Sequence, residues 1–376
     1  MTMEKAKRFL PDFLEREYLD SYVAAGGSKI KFLTGRPGCG KHEIMAEICR
    51  RAVDCGYRTV RFSAKDIWLH DFKDVYLEIL RQCDVEACLA GCAAEIIRSM
   101  GYDPREIPKD ATFMDYLSSI GEGDPVNRRE IRQELRKIFL ENPRMDNNFA
   151  ICCSLLCGNI LGHPLLEAGS REVLLEWMHG SSNVKLSMLR AQGLSPSRIT
   201  KLNARHMLRS LVEVICAGGS RGLCVAIDDL EILLNRSGLD EIHYTKNRRE
   251  DTYESIRQLI DDIDSQNHMM FIYGFDRALI DNENAGLKSY QALWMRIQSE
   301  VAGSRFNCFS DMLDLDLLWE QMITPEMITA MSEDLLTDEE AKELKNKCRF
   351  GEFGIFEAVN RKITEILKGE ETGEEL

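Results

Sequence analysis

The heptapeptide Gly35-Arg-Pro-Gly-Cys-Gly-Lys41 fits the spacing G-x-x-x-x-G-K. In such a loop the glycines let backbone N–H groups curl around phosphate, and the lysine ammonium neutralises the outer phosphates. Gly35, Arg36, Pro37, Gly38, Cys39, Gly40, Lys41 and His42 are therefore the expected nucleotide contacts, with ATP and Mg²⁺ as the expected cofactors. The position after the lysine of this Walker A motif normally carries a hydroxyl for Mg²⁺. Here it is His42, and imidazole is a poor ligand for a hard cation that prefers oxygen. Nucleotide binding is expected to survive the change, and metal positioning to suffer from it.

A second group of acids follows at Ile227-Asp-Asp-Leu-Glu231. Asp228 is placed to hold the metal through water, and the acid after it to polarise the attacking water. Many such ATPases have Glu there. Asp229 is one methylene shorter, and Glu231 stands two residues on as a substitute. The motif thus reads as a degenerate Walker B, against the plainer reading of a solvated acidic strand end. Arg296 and Arg305 are candidates for a transition-state cation that reaches a neighbour's γ-phosphate, against the plainer reading of surface arginines. The candidate catalytic set is Asp229, Glu231 and Arg296, for a slow Mg²⁺-dependent ATPase whose enzymatic status the sequence leaves open. Lys246-Asn-Arg-Arg249 is a small basic cluster in acidic surroundings and reads as a solvated loop. Cys83, Cys88 and Cys92 fall on one helical face and Cys152, Cys153 and Cys157 on another. Neither trio has the paired spacing of a zinc site, so reduced buried thiols are expected.

The elements that must position these residues can be read from periodicity. Residues 3–26 have helical spacing (Phe9, Leu10, Phe13, Leu14, Tyr18, Tyr22) and stop at Gly26-Gly27. Lys29–Thr34 has a strand's length and delivers the chain into the loop, residues 42–54 return to helix, and Tyr57–Ser63 reads as a second strand. From 66 to 217 the pattern is almost purely helical, with segments at 66–82, 129–141, 147–162, 170–179 and 203–217. Gly222–Asp229 is a continuous apolar run ending in acids, as expected of a parallel strand covered on both faces. His268–Gly274 gives another strand and Ser304–Ser310 a weaker one. The rest is helical and ends in an acidic tail expected to fray. The expected fold is α/β: a P-loop parallel sheet flanked by helices, with a large α-helical insertion and a helical C-terminal region. The division is 1–65 for the N-terminal helix and first part of the core, 66–217 for the insertion, 218–310 for the second part of the core, and 311–376 for the C-terminal region.

The chain's 376 residues suffice for one large core with an elaboration, or for two modules. A formal charge of −14 repels phosphate backbones at long range, which argues against non-specific coating of nucleic acid and leaves a local DNA-binding face open. No signal-peptide pattern and no apolar run of bilayer length is present, so a cytoplasmic protein without membrane association is expected.

Six stretches together resemble a known family: Gly26–Lys41, Leu174–Gly180, Ile199–Arg205, Val225–Glu231, Tyr253–Asp262 and Tyr290–Ile297. The sequence resembles the ATP-binding proteins of BREX-type bacteriophage-defence systems, a branch of the P-loop ATPases akin to AAA+ and initiator-type proteins. The likeness covers most of residues 20–310. Its Tyr253-Glu…Arg257…Ile260-Asp-Asp262 and Ala292-Leu-Trp294…Arg296-Ile297 pieces are more specific than the loop itself. It implies an ATP-dependent regulatory or loading subunit of an antiviral defence complex. Such a subunit would work beside a helicase or methyltransferase type of partner, with homo-oligomerisation open. At the end of the fourth strand, Asp276 occupies the place where AAA+ ATPases set a polar sensor. His42 and Asp229 depart from the family-like Ser/Thr and Glu, and both departures fall on metal binding and hydrolysis. The competing readings are a catalytically inactive scaffold stabilised by nucleotide, and a signalling NTPase whose helical insertion senses a ligand.

Overall fold

The computed structural model describes residues 2–235, 242–298 and 305–373. Five parallel strands form one sheet in the order β2-β3-β4-β1-β5: β1 Ser28–Gly35, β2 Arg58–Ser63, β3 Leu223–Asp228, β4 Met269–Asp276 and β5 Met312–Asp314. The two strands expected at Lys29–Thr34 and Gly222–Asp229 thus lie in the same sheet, with β4 between them and paired to both.

Alternation along the strands divides the interior into two cores, as a period-two element covered on both faces requires. Ile30, Phe32, Leu223, Val225, Ile227, Met269, Phe271, Tyr273 and Phe275 face one core. It continues without a break into the helices between β2 and β3, among them α3 Phe72–Cys83 and α4 Val85–Ser99, with Asn147–Leu161 and Ala204–Ala217. Leu33, Cys224, Ala226, Met270 and Ile272 face the other. That face is covered by α1 Met3–Leu14, α2 Lys41–Asp54 and the C-terminal helices from Leu315 to Ile366.

Several boundaries differ from the sequence reading. The weak strand expected at Ser304–Ser310 is not one: residues 305–310 are irregular with a turn at Cys308 and Phe309, Ser304 lies outside the described residues, and the fifth strand is the short Met312–Asp314. Asp314 then caps the following helix by accepting from the backbone N–H groups of Asp316 and Leu317, which ends the strand at once. The helix expected from residue 66 begins at Phe72, where the Asp71 carboxylate accepts from Lys73 N–H. It breaks at Asp84, whose left-handed φ of 49° opens α4, so Cys83 belongs to one helix and Cys88 and Cys92 to the next. All thirteen cysteines are unpaired thiols. The N-terminal helix widens to i→i+5 hydrogen bonds over Glu15–Tyr22 and ends before the two glycines. The last helix runs from Ile355 to Gly373, seated on the second core by Ile355, Val359, Ile363 and Ile366, and the end of the acidic tail expected to fray, residues 374–376, lies outside the described residues. Among the described residues no helix is long and apolar enough to cross a membrane.

Candidate functional site

Parallel pairing aligns the carboxyl ends of β1, β3 and β4, so three strand ends open on one cleft, the usual ligand position in an open α/β sheet. Gly35 pairs with Asp276 and Ser63 with Asp228. Past Gly35 the chain turns through Gly38 (φ 75°) and Gly40 (φ 79°), left-handed positions that glycine adopts without strain, and enters α2 at Lys41. The first backbone N–H groups of α2 consequently face the cleft, where a helix N-terminus favours an anion. The cleft holds about 1030 Å³ and is lined by Arg36 to Ile44, by Lys65, Asp229, Glu231 and Asp276, and by residues of α1 and the C-terminal helices.

Lys41 is buried, with its Nζ 2.8 Å from Asp276 Oδ1, 3.7 Å from Glu231 Oε2 and 3.9 Å from Asp228 Oδ1. Burial alone would lower the pKa of this ammonium, but Glu231, Asp276 and Asp228 outweigh it and hold the value above the ordinary one. Glu231 is pushed up, first by burial and then by Asp276, against the pull of Lys41. It also accepts a hydrogen bond from Asp276 N–H at 3.0 Å.

Asp228 is buried beneath the cleft. Gly274 makes room for it, since a Cβ there would stand 2.6 Å from Asp228 Oδ1 and 2.4 Å from Met45 Sδ. Its other oxygen meets His42 Nδ1 at 2.5 Å, with Arg61 Nη2 at 3.7 Å. Asp229 adopts φ 61° and turns its carboxylate toward β2, accepting from Ser63 Oγ at 2.6 Å and Lys65 Nζ at 2.8 Å. Burial would raise the Asp229 pKa, but these two hydrogen bonds hold it below the usual carboxylate value.

The expected loop, Asp228, Asp229, Glu231 and Asp276 therefore meet at one place. The arginines do not join them. Arg296 is held by Asp261 and by the carbonyl of Ala292, and neither it nor the exposed Arg305 lines the cleft. Of the basic cluster, Arg249 is buried and Lys246, Asn247 and Arg248 begin the helix Lys246–Asp261, so it is a helix start rather than a loop.

Sequence reasoning missed three contributions. Ser63, Lys65 and Arg61 come from the end of β2, where only their place after the second strand signals a role. Lys7 and Arg8 of α1 line the cleft, with Lys7 Nζ 4.7 Å from the ring of Phe356. The largest omission is the C-terminal region, which grips the loop from behind. Gly354 N–H donates to Pro37 O at 2.8 Å, Glu357 N–H to Gly38 O at 3.3 Å and Trp319 Nε1–H to Cys39 O at 2.7 Å. The Arg36 guanidinium donates to the carbonyls of Cys348 and Arg349. No motif announces these contacts, because most are made by backbone groups.

Two clusters of side chains among the described residues bring metal-ligating atoms together: Glu15, Asp20 and Cys55 at the C-terminal end of α2, and His42, Asp228 and Asp229 at the cleft. No curated protein and no solved structure matches the chain. The family model described as BREX system ATP-binding protein BrxC/D matches residues 14–331, which contain the loop, the strand-end acids and all five strands, and the chain belongs to that family.

Proposed function

We propose that the cleft binds ATP on Gly35–His42 and that the chain serves as a regulatory or loading subunit of a BREX-type defence complex, with slow hydrolysis of its own. The architecture proposed with it is a P-loop core of the AAA+ kind, to which the helices of 66–217 add an insertion and residues 311–376 a helical C-terminal part. The observation that carries the reading is the buried Lys41 ammonium at the N-terminus of α2, surrounded by three carboxylates at the floor of an open cleft. A cation so placed is costly to desolvate, and a triphosphate entering along the helix N-terminus gives it a stronger partner than the acids that now share it.

Each nearby group has a part in this reading. The backbone of Gly38–Lys41 and the Lys41 ammonium would hold the β- and γ-phosphates, and Asp228 would face the accompanying metal through water. Asp229 stays ionised, and Glu231, tied to Asp276 N–H, lies close enough to substitute for it in orienting water. Slow turnover is supported by the engagement of Asp229 with Ser63 and Lys65, which leaves it less free to steer a water. An intersubunit role for Arg296 requires that its pair with Asp261 open.

Family membership supports partners within the defence system, and the reading takes these to be of helicase or methyltransferase type and the location to be the cytoplasm. Calorimetric titration of ATP into the protein and into Lys41→Ala tests the reading. Micromolar binding by the first and none by a folded second is expected; equal affinities would refute it. Phosphate release over hours, without partners, measures the hydrolysis.

A further inference from the structure

The cleft is poor in positive charge for a ligand carrying about four negative charges. At its floor Asp228, Asp229, Glu231 and Asp276 face Lys41, Lys65 and Arg61, so acids outnumber cations there before any phosphate arrives, and the basic residues of its walls are offset by glutamates such as Glu4, Glu43 and Glu357. A triphosphate must therefore bring a counter-cation, and the donors that await this ion are unusual. Where a hydroxyl would offer oxygen to Mg²⁺, His42 offers Nδ1, already 2.5 Å from Asp228 Oδ2. His42, Asp228 and Asp229 each present one donor atom, and all three atoms lie within 4.8 Å of one another.

Two donors about 2.1 Å from a common ion stand roughly 3 Å apart at right angles and no more than about 4.2 Å apart in line. The existing cluster reaches that geometry if the His42–Asp228 pair opens by about half an ångström and any pair wider than about 4.2 Å closes to that span. Rotation of the imidazole suffices for the first change, because the side chain of His42 is 56% exposed. The hydrogen bond between imidazole and carboxylate then serves as a placeholder, its proton standing where the ion will sit. A nitrogen among carboxylate and phosphate oxygens suits a borderline first-row dication, whereas Mg²⁺ prefers oxygen throughout.

We infer that His42, Asp228 and Asp229 form a transition-metal site, filled together with nucleotide and selective for ions such as Mn²⁺ over Mg²⁺, with Asp228 bound to the ion directly rather than through water and the orientation of water left to Glu231. The site rests on the nucleotide reading, since Lys41 and Arg61 stand beside Asp228 and Lys65 holds Asp229 until phosphate gives these cations another partner.

The probe is Mn²⁺ with unlabelled ATP, added to metal-free protein labelled with ¹⁵N only at histidine. Pulsed electron paramagnetic resonance of the bound Mn²⁺ should show a ¹⁵N coupling of the size of a directly ligated imidazole, and His42→Thr should abolish it. By titration, the preference for Mn²⁺–ATP over Mg²⁺–ATP should fall about tenfold in His42→Thr. ATP bound without the ¹⁵N coupling, or with the same ion preference in both proteins, overturns the metal site and leaves the nucleotide reading standing. Absence of ATP binding with every ion overturns both.

Discussion

Lys41 stands in two relations at once, to the phosphate proposed for the cleft and to three carboxylates already present. The motif conveys only the first, and from it alone Lys41→Ala should cost nothing but ligand. The structure adds that the same change leaves Asp228, Glu231 and Asp276 without their shared cation, and breaking a buried pair in this way costs about 3 kcal/mol. Lys41→Ala is therefore expected to lose ATP binding and to unfold at lower urea, while still melting cooperatively. Its deficit should shrink as pH falls toward 5, because Glu231, already pushed up by burial, takes a proton once its cation is gone. Urea melts at several pH values check both halves. His42 gives the opposite expectation. His42→Thr restores an oxygen for Mg²⁺, and combined with Asp229→Glu it should raise Mg²⁺-dependent phosphate release by about tenfold or more, the scale on which single electrostatic contacts act in catalysis. Brisk turnover by the unaltered protein would show that Glu231 already performs the task.

At the scale of elements, β1 carries a buried charge in a position that alternation assigns to the core. Lys31 is fully buried, donates to the carbonyls of Phe309 at 2.9 Å and Ser310 at 2.7 Å, and lies 4.6 Å from the ring of Tyr18. Burial first, and Lys29 second, bring its pKa down to about 8. Because the folded state gives up this proton before the unfolded state does, the lysine's contribution to stability rises between about pH 8 and 10.5 and is least favourable below pH 8. The stability difference between the protein and Lys31→Met, followed by urea melts across that range, should shift toward the lysine by about 3 kcal/mol. The strands containing the site were legible because their apolar runs end in glycine or acids, and the loop because its spacing is tied to phosphate chemistry. The fifth strand was not legible, since three residues are too few for a period. Nor were the grip of Trp319 on Cys39 O and the capture of Arg36, since a backbone carbonyl leaves no trace in residue identity.

For the molecule as a whole, the helices between β2 and β3 share one uninterrupted core with the sheet, so a disturbance in them is felt at β3 and β4, whose ends carry Asp228 and Asp276. On the other face the C-terminal helices share the second core with α2. At Gly354 that contact is backbone against backbone: a Cβ there would stand 2.6 Å from Cys39 N, whereas at Gly351 the nearest atom is a carbonyl at 3.2 Å. Gly354→Ala should weaken ATP binding by about tenfold or more with little change in melting temperature, because a displacement near 1 Å in a positioned site costs up to about a hundredfold. Gly351→Ala is the matched control and should bind as the unaltered protein does; titration of both separates loop placement from general damage.

That contact also bears on descent. The family match ends at Met331, while Cys348, Arg349, Gly354 and Glu357, which fix the loop's carbonyls and its arginine, all lie beyond it. A relative that inherits the matched region with a different C-terminal part inherits the letters of the loop without its mould. Among such relatives, drift at positions 36 to 39 should follow drift in whatever chain replaces residues 348 to 357, and two proteins identical in motif could differ in whether that motif is held in shape.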